Sequence, residues 1–386
     1  MRTCRWVVVL FGLLAMAANA MSAVNRKKVV TAPARSAGTV KLEKATGKKP
    51  ARPRVRRARR ASPWTEPTFA DSTIGDSVDG EDLVVRLAAV EALGPYNGSV
   101  VVVDPSNGRI LTMVNQKLAL KSGFQPCSTI KIPVALAALM EGLIERNTVL
   151  RVGGRRRMNL TEAMARSDNP FFATLGVKLG FERLLHYARL FGLGELAGLN
   201  IEGEQPGTLP EVPPPGGVGM MASFGEGIAM TPLQLAALLS AIANDGTLYY
   251  LQYPRSQEEV DNFVPRVKRH LDIAPWLDDI KAGLLAAVDY GTGRKAAYHP
   301  SEPVLGKTGT CTENRVHLGW FGSFNDVGRN KLTVVVLLTG GWGVSGPTAA
   351  EIAGNVYKRL SEKNFFAVAR PISPAALVSS QACCIR

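Results

Sequence analysis

The sequence predicts an α+β fold: an antiparallel β-sheet flanked by helices, with an inserted, mainly helical subdomain. Two observations carry that prediction. Apolar, β-branched runs stand at both ends of the globular part of the chain, and a long stretch of helical patterning lies between them. A third observation, the placement of charge, separates that globular part from what precedes it.

Arg2 and Arg5, an apolar run over 6–18 and Ala18-Asn19-Ala20 make up the three parts of a secretory signal (residues 1–20), with cleavage expected after Ala20. The run is shorter than the ~20 residues of a membrane span, so a retained anchor is the second expectation. The cluster Arg26-Lys27-Lys28 that follows opposes translocation, which leaves export and charge in tension. Residues 21–75 are rich in Ala, Pro, Lys and Arg without apolar periodicity, and read as a basic, disordered linker that cannot bury enough surface to offset chain entropy.

The 386 residues include 46 Lys+Arg and 32 Asp+Glu, a net charge of +14. Residues 26–60 hold 14 of the basic side chains against Glu43 alone, and residues 61–386 are nearly balanced. A neutral body argues against a nucleic-acid-binding domain. The arm reads as a solvated spacer or as a patch for an anionic envelope surface. Four His and five Cys without CxxC or HExxH spacing give no support to a zinc site.

The globular body is placed at 81–360, followed by a tail over 361–386 in which Cys383 and Cys384 have no evident partner. Its first strands are 99–104 and 109–114, joined by the hairpin signal Pro105-Ser106-Asn107-Gly108. Residues 129 to about 300 are read as mainly helical. One apolar helical pattern over 184–191 ends at Gly192, and a helix opened by Thr231-Pro232 runs to Asn244-Asp245-Gly246. Strands return at 303–311, 316–324 and 331–339, before a last helix over 349–360.

Three motifs fall in order. Ser128-Thr129-Ile130-Lys131 begins a helix, Ser167-Asp168-Asn169 sits in an interhelical bend before Pro170, and Lys307-Thr308-Gly309-Thr310 lies on a strand. An S-x-x-K alone is expected about once by chance in such a chain. Together, in this order and on these elements, the three are specific to an active-site serine acyltransferase. Three residues apart on a helix, Ser128 and Lys131 share a face. A serine hydroxyl needs a neighbour to take its proton, and Lys131 can do so if burial or a nearby cation, for which Lys307 is the candidate, lowers its pKa.

On these motifs the sequence resembles the penicillin-binding transpeptidase domain, in the superfamily that includes class A and class D β-lactamases. Segments 100–114, 124–131, 187–194, 223–236, 243–246 and 306–310 are similar to class B penicillin-binding proteins, with the basic linker standing where their large N-terminal domain would be. The resemblance implies a peptidoglycan D,D-transpeptidase that acts on D-Ala-D-Ala stem peptides, is acylated by β-lactams and uses no cofactor or metal. Its location would be the periplasm or cell envelope. By the same resemblance Ser128 is the nucleophile and Lys131 its base. Ser167 relays the proton to the leaving amine, Asn169 holds the substrate's amide side chain, and Asp168 is structural. Lys307 supplies positive potential, while Thr308 and Thr310 bind the substrate carboxylate. The N–H groups of Ser128 and Thr310 form the oxyanion hole.

The family usually has Gly before the serine, where this chain has Cys127, and Cys311 directly follows Thr310. Two donors each about 3 Å from one oxygen are within roughly 6 Å of each other. Their neighbours Cys127 and Cys311 then meet the separation of a disulfide, a placement that resembles the disulfide of class A carbapenem-hydrolysing β-lactamases. The alternative is two buried thiols. This pairing raises a serine β-lactamase or D,D-carboxypeptidase as a second reading, and a β-lactam sensor that acylates without turnover as a third. Glu202 and Glu204 stand roughly where a deacylating base would be needed, in a segment that looks like penicillin-binding proteins instead. Arg155 to Arg157, His299, His317 and the Gly340-Gly341-Trp342-Gly343 stretch read as ordinary turn and surface residues.

Overall fold

The computed structural model describes residues 63–326, 328 and 330–367. The signal segment, the basic residues 26–60 and Cys383-Cys384 lie outside them. The described chain forms, in order, α1 (Leu83–Leu93), β1 (Gly98–Val103), β2 (Ile110–Val114), α2 (Gln116–Ala119), a 3-10 turn (Cys127–Ile130), α3 (Lys131–Met140), β3 (Leu150–Arg151), β4 (Arg157–Met158), α4 (Leu160–Arg166) and α5 (Asn169–Leu179). It continues with α6 (Phe181–Leu190), α7 (Gly217–Phe224), α8 (Pro232–Ala243), β5 (Thr247–Tyr249), α9 (Gln257–Asp261), β6 (Val267–His270) and α10 (Leu277–Asp289). The last elements are β7 (Val304–Glu313), β8 (Val316–Asn325), β9 (Thr333–Gly340) and α11 (Gly346–Glu362).

The predicted α+β class holds. Five strands form one antiparallel sheet in the order β2-β1-β9-β8-β7, so strands from the two ends of the sequence meet at the β1/β9 ladder. The runs of valine follow from burial on both faces. Val101, Val103, Trp320, Phe324, Val335 and Leu337 point into the core shared with the helical block. Val100, Val102, Phe321, Val334, Val336 and Leu338 point into a second core under α1 and α11. Helix α8 is buried along its whole length and so is apolar on every side apart from Gln234 and Ser240. Thr231 and Gln234 close its N-terminus with a reciprocal capping box.

The helical block also holds two short ladders, β3/β4 and β5/β6, too brief to show a period of two in the sequence. Residues 63–75, grouped by composition with the basic linker, pack on the body instead. Arg315 Nε donates to the Pro63 carbonyl at 2.7 Å, Phe69 bridges Tyr96, and Ser72 Oγ donates to the Tyr96 carbonyl at 2.9 Å. Among the described residues no helix is long and apolar enough to cross a membrane.

Candidate active site

Ser128 lies in the 3-10 turn that leads directly into α3, so the motif opens on a tighter turn than the α-helix expected from its spacing. The turn enters through Cys127 at φ 51°, the left-handed region that favours glycine. Ser128 is buried to 9% exposure and Lys131 is fully buried. The Lys131 amine sits 3.0 Å from Ser128 Oγ, 2.7 Å from the Ser167 carbonyl, 3.1 Å from Ser167 Oγ and 2.6 Å from Asn169 Oδ1. The Phe172 ring lies 5.5 Å from it.

Ser167 ends α4 in a left-handed conformation (φ 55°, ψ 43°), and Asp168 caps α5 by accepting from Phe171 N–H at 2.9 Å. The sharp bend between the two helices turns the Ser167 hydroxyl and the Asn169 amide toward the same amine. Asp168 accepts from Arg156 as well, at 3.2 Å, so one arginine of the 155–157 turn has a partner.

On the edge strand β7, Lys307 is fully buried and donates to Ser167 Oγ at 2.8 Å and to the Thr308 carbonyl at 3.0 Å. Ser167 Oγ therefore lies between two lysine amines. The Thr308 hydroxyl is 2.6 Å from that of Thr292, and Thr310 Oγ1 accepts from Gly346 N–H at the start of α11, at 2.7 Å. Alternation along β7 puts Lys307, Gly309 and Cys311 on the face toward the turn that carries Ser128. Gly309 allows a close approach there, because a Cβ would stand 3.0 Å from the Pro126 carbonyl oxygen and 3.2 Å from Thr129 Cγ2, tighter than ordinary contact. Cys127 and Cys311 are joined by a disulfide with a Cα separation of 5.6 Å.

Burial pushes Lys131 down to about 7, against an opposing pull from the Asp168 carboxylate. Burial, and then repulsion from Lys131, hold Lys307 well below the usual lysine range. Loss of water is thus the chief cause at Lys131, and the cation effect acts on Lys307. The Ser167 carbonyl and Asn169 Oδ1 can only accept, so they take the two N–H bonds of a neutral Lys131 and leave its lone pair for the Ser128 hydroxyl.

The three motifs converge on one cluster. Thr292, Phe172 and Gly346 join it without a sequence argument. For Thr292 the Gly291-Thr292-Gly293 run was a usable signal: a Cβ on Gly291 would be 2.2 Å from the Ala165 carbonyl oxygen. Nothing marked Phe172. Glu204 is buried and accepts from Ala197 N–H at 2.8 Å and Gly198 N–H at 3.0 Å, which commits it to holding its own turn. His317 packs in an aromatic cluster with Trp64, tilted at 4.1 Å between ring centroids, and Trp342, edge-on at 6.1 Å.

Residues 98–358 match the penicillin binding protein transpeptidase domain. Stage V sporulation protein D of Bacillus subtilis is 29% identical over 310 residues, covering 69% of this chain and 48% of the relative. Penicillin-binding protein PbpB of Mycobacterium tuberculosis is 28% identical, with 61% and 41% covered. Peptidoglycan D,D-transpeptidase MrdA of Escherichia coli is 26% identical, with 58% and 40% covered. The chain spans less than half the length of each of these relatives. Two solved structures share the fold. Pseudomonas aeruginosa PBP2 in complex with WCK 5153 has a TM-score of 0.63 and 23% identity over 76% of this chain and 77% of that one. A D,D-transpeptidase domain from Eggerthella lenta has a TM-score of 0.57 and 22% identity, with 74% and 82% covered.

Proposed function

Because the chain belongs to the penicillin-binding protein transpeptidase domain family, we propose that it is an exported peptidoglycan D,D-transpeptidase working through a Ser128 acyl-enzyme. The observation that carries this reading is the buried Lys131 amine, lowered to about 7 and 3.0 Å from Ser128 Oγ. At neutral pH a large fraction of Lys131 is a free base, the state in which it can take the serine proton. Ser128 Oγ then attacks the carbonyl of the terminal D-Ala-D-Ala bond. The developing oxyanion is received by the N–H groups of Ser128 and Thr310, which flank the Cys127–Cys311 link.

The proton travels from Lys131 through Ser167 Oγ, which touches both amines, to the leaving nitrogen. Two adjacent buried amines resist carrying two charges. A substrate carboxylate arriving at Thr308 and Thr310 favours the proton on Lys307, and so sets the positive potential when substrate is present. Asn169, whose Oδ1 accepts from Lys131, holds the substrate's amide in this reading. Glu204 is occupied by its own turn and so does not serve as a base for water, which favours acyl transfer to an amine over rapid hydrolysis.

Incubation with a labelled penicillin tests the reading. A stable adduct on the wild-type chain, absent from Ser128→Ala, is the expected result. Fast release of hydrolysed drug would mark a β-lactamase. An adduct without transfer or hydrolysis of a D-Ala-D-Ala peptide would mark a sensor, and no adduct at all would remove the acyl-enzyme.

A further inference from the structure

A second cleft, of about 450 Å³, opens beside the catalytic cluster between the end of α4, the turn after α10 and the start of α11. Two of its walls belong to the leaving-group side of the reaction. Ala165 and Arg166 directly precede Ser167, and the Thr292 hydroxyl is 2.6 Å from that of Thr308.

Its lining is cationic. Arg166 is paired with Glu162 at 2.9 Å and Lys295 with Glu351 at 2.6 Å, but the exposed Arg294 guanidinium has no hydrogen bond or ion pair among the described residues. Pro347, the second residue of the 17-residue α11, also lines the cleft.

Transfer is the reverse of acylation, so the incoming amine must occupy the place that the leaving D-Ala vacated. Its α-carboxylate then takes the Thr308 and Thr310 hydroxyls, and the rest of the acceptor extends into the adjoining cleft. We infer that this cleft is an acceptor subsite selecting amines that carry a second carboxylate, with Arg294 as its counter-ion. The inference rests on the transpeptidase reading. In the step itself the acceptor nitrogen forms a C–N bond with the acyl carbonyl and the ester C–O bond to Ser128 breaks. The amine's proton passes through Ser167 and Lys131 to Ser128 Oγ.

The test loads Ser128 with a thioester analogue of an acyl-D-alanine donor and offers D-glutamate and D-glutamine in equal amounts, with products measured by mass spectrometry. The wild-type chain is expected to favour D-glutamate by about threefold to fivefold, the size an exposed ion pair supplies. Arg294→Gln brings the ratio near one and Arg294→Lys retains part of it. An equal ratio in the wild type, or one untouched by Arg294→Gln, overturns the inference while leaving the acyl-enzyme in place. Failure of the wild type to acylate with either the thioester or labelled penicillin overturns the transpeptidase reading and the subsite with it.

Discussion

Lys131 is an amine held where water cannot share its charge, and its chemistry follows from that one fact. Its pKa near 7 means that acylation by a penicillin should rise with pH through about 7 and level off above it, as the free base fills. A stopped-flow acylation profile measures this, and a rate flat from pH 6 to 9 would speak against Lys131 as the base. Folding stability follows the same sign. Between about 7 and 10.5 the unfolded chain holds this proton and the folded chain does not, so the group's penalty to stability shrinks as pH rises through that window. Lys131→Met should cut acylation by roughly 10²- to 10⁴-fold, the usual worth of a general base. The spacing of Ser128 and Lys131 was legible in the sequence because a helix face brings them together. Phe172 was not, since its place beside the amine depends on how α5 packs against α3.

At the scale of elements, the site is a seam between the Cys127–Ile130 turn, the α4/α5 bend and strand β7, and two features hold the turn to the strand. One is the missing side chain at Gly309, and the other is the Cys127–Cys311 disulfide. Cys127 occupies a left-handed conformation that costs a non-glycine residue roughly 1–2 kcal/mol. The disulfide spans a separation of 184 residues, which restricts the unfolded chain and supplies on the order of 2–4 kcal/mol. Reduction, or Cys311→Ser, should therefore lower the melting temperature and slow penicillin acylation. The double variant Cys127→Gly, Cys311→Ser should recover about 1 kcal/mol over Cys311→Ser alone, because glycine accepts the left-handed φ freely. Melts in the presence and absence of a reductant decide it, and identical curves would remove the bracing role.

The whole molecule divides its labour between a nearly neutral body and a strongly basic arm. The 14 Lys/Arg over 26–60 lie apart in sequence from all three motifs of the candidate site, and an anionic surface is the partner expected of them. The chain should bind vesicles containing anionic lipid, lose them as salt approaches a Debye length of about 8 Å at 0.15 M, and ignore zwitterionic vesicles. Removal of 26–60 should abolish that binding with labelled-penicillin acylation intact, and vesicle binding that survives the deletion would place the contact in the body.

By itself the sequence determined the α+β class, the order of the motifs and the chemistry of their side chains. Periodicity, turn residues and residue types are local properties that need no knowledge of what lies opposite. It also carried the Cys127–Cys311 pairing, but only through the resemblance, because a link across 184 residues has no local signature. Tertiary structure decided what depends on distant segments meeting. The packing of residues 63–75 on the sheet's end, the Thr292–Thr308 hydroxyl pair and the commitment of Glu204 to its own turn are examples. The burial that lowers Lys131 belongs with them, since desolvation is the work of every element packed around the amine.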